Sequence, residues 1–266
     1  MRLIRYSLLI LGAFVCLFPF YWMIITSLSS VPWISSPKFI PVNPTIESFR
    51  AILSNHPFLK WTVNTFIVTT VGTCGGIFLA CLAAFSFGCL NFRGRDYIFW
   101  ILFFSTMVMP GFLMLIPRFF LIAKIGAMNS YLGVFLPWWF QMFSVFLLRQ
   151  HFLTISRDYL DNARMDGANL WQLFSRVVLP MSKGVIIALF VIVFLKNWNQ
   201  LMWPMVILRS TNMQTLTVGM ADFYDIYQAD FAKIMAGAII SLTPIIILFI
   251  ILQKYVAKGI SLRMKI

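Results

Sequence analysis

The stretch Arg157–Lys183, RDYLDNARMDGANLWQLFSRVVLPMSK, decides how this chain is read, because it is charged and amphipathic between two almost wholly apolar runs. A polar segment of that length cannot lie in hydrocarbon, so it marks a loop between two spans. Arg157, Asp161 and Arg164 are i,i+4 and i,i+3 neighbours that support a short helix, with Leu160 and Ala163 on an apolar flank. Asp166-Gly167 supplies a stop, since glycine takes the left-handed conformation cheaply. Asn169, with Gln172 three residues on, has the form of a capping box that starts a second helix. Leu170, Trp171, Phe174 and Val177 recur at helical spacing, and Pro180 closes the unit. The pattern predicts a bent pair of short helices with a compact apolar knob, shaped for a groove on a soluble protein. It equally admits an amphipathic loop lying on the lipid interface, held by Trp171 and the arginines.

Outward from this loop the chain is lipid-soluble. Of its 266 residues 61% are hydrophobic and only 11% charged, so a water-soluble fold would have nowhere to hide its apolar surface. Apolar runs cover residues 8–28, 61–90, 97–121, 131–148, 184–203 and 235–252. Crossing the hydrocarbon layer takes roughly 20 helical residues, and only a helix satisfies its own backbone polar groups there. The short alternating strands of an outer-membrane barrel are absent. The expected fold is therefore an all-α integral membrane protein of six transmembrane helices, one domain over residues 1–266, with a cytoplasmic loop 157–183 between spans four and five. The first run follows Arg2 and Arg5, exceeds a secretory signal in length and lacks a small-x-small cleavage pattern, so it reads as an uncleaved span.

Orientation follows from the cations, which cytoplasmic loops retain. Arg2 and Arg5, Arg93 and Arg95, the group Arg149, Arg157, Arg164, Arg176 and Lys183, and Lys254, Lys258, Arg263 and Lys265 fall on one side and account for most of the 21. That side is assigned to the cytoplasm, with both termini on it. The net charge of +13 does not indicate nucleic acid, because the cations are spread along membrane boundaries instead of forming one stripe. Cys16, Cys74, Cys81 and Cys89 lack the paired spacing of a metal site, and His56 and His151 are far from them. No metal or cofactor site is expected in this chain.

The eight carboxylates, Glu47, Asp96, Asp158, Asp161, Asp166, Asp222, Asp225 and Asp230, all fall in expected loops or boundaries. Ion-driven carriers place such groups inside the membrane, so this pattern disfavours a self-contained secondary carrier. The phosphate-binding pattern G-x-x-x-x-G-K-[ST] is also missing. A pump built on this chain needs another subunit to supply the energy.

The string Asp161–Pro180 resembles the cytoplasmic signature of the permease subunits of binding-protein-dependent ABC importers, written E-A-A, three residues, G, nine residues, I-x-L-P. Ala163, Asp166, Gly167, Ala168, Leu179 and Pro180 match, Asp161 stands for the glutamate, Asn162 for the first alanine and Val177 for the isoleucine. Phe18-Pro-Phe-Tyr-Trp22, Phe39-Ile-Pro41, Asn64-Thr65, Trp198-Asn199, Trp203-Pro204 and Gln253-Lys-Tyr-Val256 are similar to the maltose-type carbohydrate branch, in particular its six-span partner permease. The resemblance implies a heterodimer with a homologous permease, two cytoplasmic ATPase subunits that use ATP and magnesium, and an extracytoplasmic solute-binding protein, in a bacterial inner membrane. It makes 157–183 the coupling loop, with Asp161, Ala163, Asp166, Gly167, Ala168, Leu170, Phe174, Leu179 and Pro180 as its working residues.

A solute path is sought among Asn197, Trp198, Asn199 and Gln200 near the end of span five, since amides suit hydroxyls and aromatic faces suit C–H surfaces. The competing arrangement makes the tryptophans interfacial belt residues. Pro204–Asp230, with Asp222, Asp225 and Asp230 beside Tyr224 and Tyr227, is expected to be an external loop where the binding protein docks.

Overall fold

The structure is a computed structural model that describes residues 2–29, 39–41, 43–109, 111–226 and 230–261. Lys38, Tyr227, Arg263 and Lys265 of the charge and loop arguments lie outside the described residues, as do the side chains of Arg2, Asp225, Lys254 and Lys258. Every regular element among the described residues is helical. By length and composition three helices can cross a membrane, Arg5–Leu28, Phe58–Cys89 (α3) and Tyr131–Phe152, and a fourth span exists if the bent pair Leu170–Met181 and Lys183–Trp198 counts as one.

Two of the other expected spans are interrupted and Tyr131–Phe152 is irregular, for legible reasons. Residues 97–121 divide into α4 (Arg95–Val108) and α5 (Leu115–Lys124). Met109, which precedes Pro110, is extended at φ −86° and ψ 113°, because a following proline ring excludes the helical region. Residues 131–148 comprise α6 (Tyr131–Phe135), a tighter turn Leu136–Trp139 around Pro137, and α7 (Met142–Phe152). The fifth run ends at Trp198, and a separate short helix Met202–Ile207 follows. The last run lies within a helix spanning Phe231–Ser261.

The chain forms two compact units, Met1–Asn64 with Gln214–Ile247, and Thr65–Met213 with Leu248–Ile266. In the first, α1 (Arg2–Leu28) leaves Tyr6, Leu8, Leu11, Phe14 and Leu17 exposed along its length, so it requires an apolar surrounding. Tyr21 Oη donates to Phe39 O at 2.6 Å, and α2 (Glu47–Asn55) leads to an aromatic cluster of His56, Phe58, Trp61 and Phe223. Burial holds the His56 imidazole below its ordinary pKa. Asn64 Nδ2 donates to Gln214 O at 2.9 Å, while Gln214 Nε2 donates to Asp222 Oδ2 at 2.6 Å.

The expected external loop Pro204–Asp230 is largely helical. Leu216–Ile226 is a helix, since Leu216, Gly219 and Phe223 recur at i, i+3 and i+7 and turn one buried face inward. Its two aspartates, Asp222 and Asp225, obscure that apolar period in the sequence. Asp222 accepts from Gln214, and Asp230 pairs with Lys233 at 2.9 Å, so neither is simply a solvated loop charge.

Two apolar clusters lie among the described residues of the second unit. One contains Phe85, Phe99, Leu148, Phe152, Leu160, Leu173, Phe174 and Leu189. The other joins Val68, Ile122, Val134, Trp138, Trp203 and Ile207.

Candidate functional site

The segment 157–183 folds into an elbow whose joints are made by its own residues. Ser156 opens α8 (Arg157–Met165): its Oγ accepts from the Asp158 N–H at 3.3 Å and donates to Asp158 Oδ2 at 3.1 Å. Arg164 Nη1 meets Asp161 Oδ1 at 3.0 Å, an exposed pair that orients more than it stabilises. Gly167 closes the helix at φ +81°, with its N–H donating to Arg164 O and that of Ala168 to Ala163 O, each at 3.0 Å. These are the two bonds of a Schellman turn, and they satisfy carbonyls that a helix end leaves open. A Cβ at residue 167 would meet nothing within 4 Å, so the backbone angle, not space, demands glycine.

The expected capping box is present. Asn169 Oδ1 accepts from the Gln172 N–H and Gln172 Oε1 from the Asn169 N–H, both at 2.9 Å, which opens the helical run α9 (Leu170–Met181). Leu173–Val178 is wound as a π-helix. Pro180 has no N–H to return to the Arg176 carbonyl, and a widened turn accommodates that gap. The chain breaks at Ser182 and bends by 78° into α10 (Lys183–Trp198).

Burial divides the elbow's apolar residues into two sets. Leu160, Leu173, Phe174 and Val178 are buried, with the Phe174 ring 5.3 Å from that of Phe85. Leu170 and Trp171 are each 58% exposed and Met165 78% exposed. Phe174 therefore sits inside the unit and anchors the elbow from below. Asp161, Asp166, Gly167 and Pro180 are exposed, and Ala163, Ala168, Val177 and Leu179 are half-buried. Met165 was not among the residues singled out in the sequence, though it flanks the glycine turn.

Arg149 also escaped the sequence reading, which counted it only as a boundary cation. It is buried in α7, where its Nε donates to Phe87 O at 3.1 Å, its Nη2 donates to Asp96 Oδ1, and its guanidinium lies 4.2 Å from the Phe99 ring centre. Arg95 grips both oxygens of Asp96 at 3.1 Å and donates to Leu90 O at 3.2 Å. Hydrogen bonding from Arg95, reinforced by the charges of Arg95 and Arg149, holds the Asp96 carboxyl below the usual carboxylate range.

The four residues near the end of α10 do not act alike. Asn197 is buried and its Nδ2 donates to Thr73 Oγ1 at 3.2 Å. Trp198 is buried against Phe194, with ring centres 5.7 Å apart, and so is not a belt residue. Asn199 is exposed and its Nδ2 donates back to Leu195 O, while Gln200 is half-buried. Trp203 Nε1 is likewise turned inward, donating to the carbonyls of Gly133 and Val134.

A family model described as a binding-protein-dependent transport system inner membrane component matches residues 72–262, the range that contains this elbow. The chain belongs to that family. It is a multi-pass inner membrane component of a binding-protein-dependent transport system. Among its relatives, the arabinooligosaccharides transport system permease protein AraQ of Bacillus subtilis (strain 168) is 30% identical over 254 residues, 92% of this chain and 89% of that one. The sn-glycerol-3-phosphate transport system permease protein UgpE of Rhizobium meliloti (strain 1021) is 30% identical over 97% of this chain and 95% of its own. The fold matches a bacterial ABC transporter involved in the import of the acidic polysaccharide alginate, with a TM-score of 0.82 at 24% identity over 96% of this chain and 95% of that one. A bacterial alginate ABC transporter in complex with a pentasaccharide-bound periplasmic protein matches with a TM-score of 0.60 at 15% identity, over 96% and 92% of the two chains.

Proposed function

We propose that this permease carries a carbohydrate or related polyol through six spans and is worked from the cytoplasm through the elbow 157–183. Spans three and five are then the broken runs described above, span four is the irregular helix Tyr131–Phe152, and both termini face the cytoplasm. The observation that carries the reading is the elbow itself: a glycine turn and a capping box anchored by Leu173 and Phe174, presenting Met165, Leu170 and Trp171. Three such residues beside Asp161 and Asp166 form an apolar tip with a polar rim, suited to a cleft on a soluble ATPase.

The partners follow from that assignment: a second homologous permease, two cytoplasmic ATPase subunits that bind ATP and magnesium, and an extracytoplasmic solute-binding protein. Hydroxyl-rich solutes are supported by the relatives, whose names specify arabinooligosaccharides and glycerol phosphate. Closure of the ATPases pushes on α8, and the buried residues beneath it pass the displacement to the spans, which rock between inward- and outward-facing states. Asn199 and Gln200 remain the members of the α10 group that reach the surface and can line the path.

Affinity purification of this chain from its native membrane is expected to bring down an ATPase in fixed stoichiometry, and a vesicle-reconstituted complex to accumulate solute only with ATP and binding protein. Accumulation by the purified chain alone, against a gradient, overturns the proposal in favour of a secondary carrier.

A further inference from the structure

We infer that Arg149 is the brace through which a push on α8 reaches the helix Phe58–Cys89 and α4, a positioning residue for coupling; this rests on α8 being the ATPase contact. The geometry joins three helix ends at one guanidinium. Phe87 O is a last-turn carbonyl of Phe58–Cys89, a group with no partner of its own inside the helix. Asp96 lies in the first turn of α4, and Arg149 itself is in α7. Four residues beyond Arg149 the chain leaves α7 at Leu153 and enters α8 after Ser156.

Direct packing does not supply an equivalent link everywhere. A cavity of about 170 Å³ is lined by Arg157, Leu160 and Arg164 of α8, by Gly88, Cys89 and Asn91, and by Phe152 and Ile155, so packing between α8 and the end of Phe58–Cys89 is incomplete. Leu160 of α8 shares one buried cluster with Phe152 and Ile155 at the end of α7 and with Leu173 and Phe174 of α9, so force delivered to α8 reaches α7 through that packing. From there the brace ties α7 to its neighbours. A planar guanidinium can hold Phe87 O, Asp96 and the Phe99 face at once, which a lysine ammonium cannot. The burial of Arg149 beside an exposed, doubly gripped carboxylate is unusual for a residue at a membrane boundary, and a brace explains it.

The test is a distance. Asp158 on α8 and the exposed Tyr97 on α4 are replaced by cysteine and spin-labelled, with the exposed Cys16 and Cys74 changed to serine and the buried Cys81 and Cys89 left in place. The complex with its co-purified ATPase is measured without nucleotide and after trapping with ATP, magnesium and vanadate. With Arg149 present the two labels are expected to keep one separation in both states. In Arg149→Lys, and to a lesser degree Asp96→Asn, trapping shifts the separation by about 2 Å or broadens it, the scale of ordinary helix shifts. Asp96→Asn alters an exposed group and leaves the fold intact, so it decides the matter if the arginine variant does not assemble. A changed separation in the unmutated brace, or an unchanged one in the assembled variants, overturns the inference. If no ATPase accompanies the parent chain, the coupling assignment itself fails.

Discussion

The elbow at 157–183 and the joint formed by residues 127–139 with 202–210 solve the same problem, a sharp change of chain direction, by opposite means. At the elbow's helix starts and glycine turn the polar groups are satisfied within a few residues: Ser156 by Asp158, Gly167 and Ala168 by the preceding turn, Asn169 by Gln172. In the joint they are satisfied across the sequence. Asn129, at φ +50°, accepts from the N–H groups of Arg209 and Ser210 and donates to Ser210 Oγ, 81 residues away. Trp203 Nε1 reaches carbonyls 70 and 69 residues away. A segment that closes its own hydrogen bonds can move as a body without stranding polar groups, whereas the joint cannot part without leaving buried donors unpaired. On the proposed function, the difference separates a part that is displaced from a part that stays shut.

Gly167→Asp is the strongest way to break this contrast. It forces a side chain into the left-handed region and places an unpaired carboxylate where the ATPase is proposed to sit. Uptake in reconstituted vesicles is expected to fall roughly 100-fold or more, since stranding a charge in an interface costs several kcal/mol. Membrane insertion should persist and stability fall only by the strain of a left-handed non-glycine residue, about 1–2 kcal/mol, since the added side chain meets no neighbour.

Gly133→Ala in the joint should give the reverse signature. Its Cβ would fall 2.2 Å from the Ala127 carbonyl oxygen, a backbone atom that cannot swing aside. A loss of about 3 kcal/mol or more is expected from such overpacking, read as a lowered unfolding temperature and reduced membrane yield. Uptake per folded molecule should be retained if the joint is only a fixed corner. A Gly133→Ala protein that is fully stable but uncoupled would show that the two regions have been assigned the wrong way round.

Trp171→Ala probes the exposed tip. It removes a large, 58% exposed ring whose centre lies 5.5 Å from that of Phe174, while Phe174 keeps its buried seat. An aromatic anchor at the centre of an interface is worth about 2 kcal/mol, so affinity for the ATPase should drop about 30-fold. Calorimetric titration of the ATPase into permease vesicles checks this. An unchanged affinity would return the segment to the lipid interface.

The same contrast explains what could be read from the residues in order. The glycine stop at 167, the Asn169–Gln172 box and the close of the unit near Pro180 are legible, because their partners lie within a turn of each other, whereas the 78° bend that follows is not. Helical spacing also located an apolar stripe, but it could not say that Phe174 points into the core while Leu170 and Trp171 point out, since that depends on Phe85 and Phe152 far away. Arg149, whose partners are 53 and 62 residues distant, looked like any boundary cation. Asn197 looked like a pore amide for the same reason: Thr73, which it serves, is 124 residues earlier.

The smallest expected effect compares the two asparagines directly. Asn169→Ala removes a capping box and should cost about 1 kcal/mol, confined to α9, so amide exchange should quicken at residues 170–173 and nowhere else. Asn129→Ala removes three hydrogen bonds between distant segments and should cost about 2 kcal/mol, with faster exchange at 127–130 and 207–210 together. The spread of the exchange effect, more than its size, distinguishes local closure from tertiary closure. If Asn169→Ala loosened α7 or α10 as well, the elbow would be held in place by its cap instead of by Leu173 and Phe174, and it could not serve as a lever that moves while staying folded.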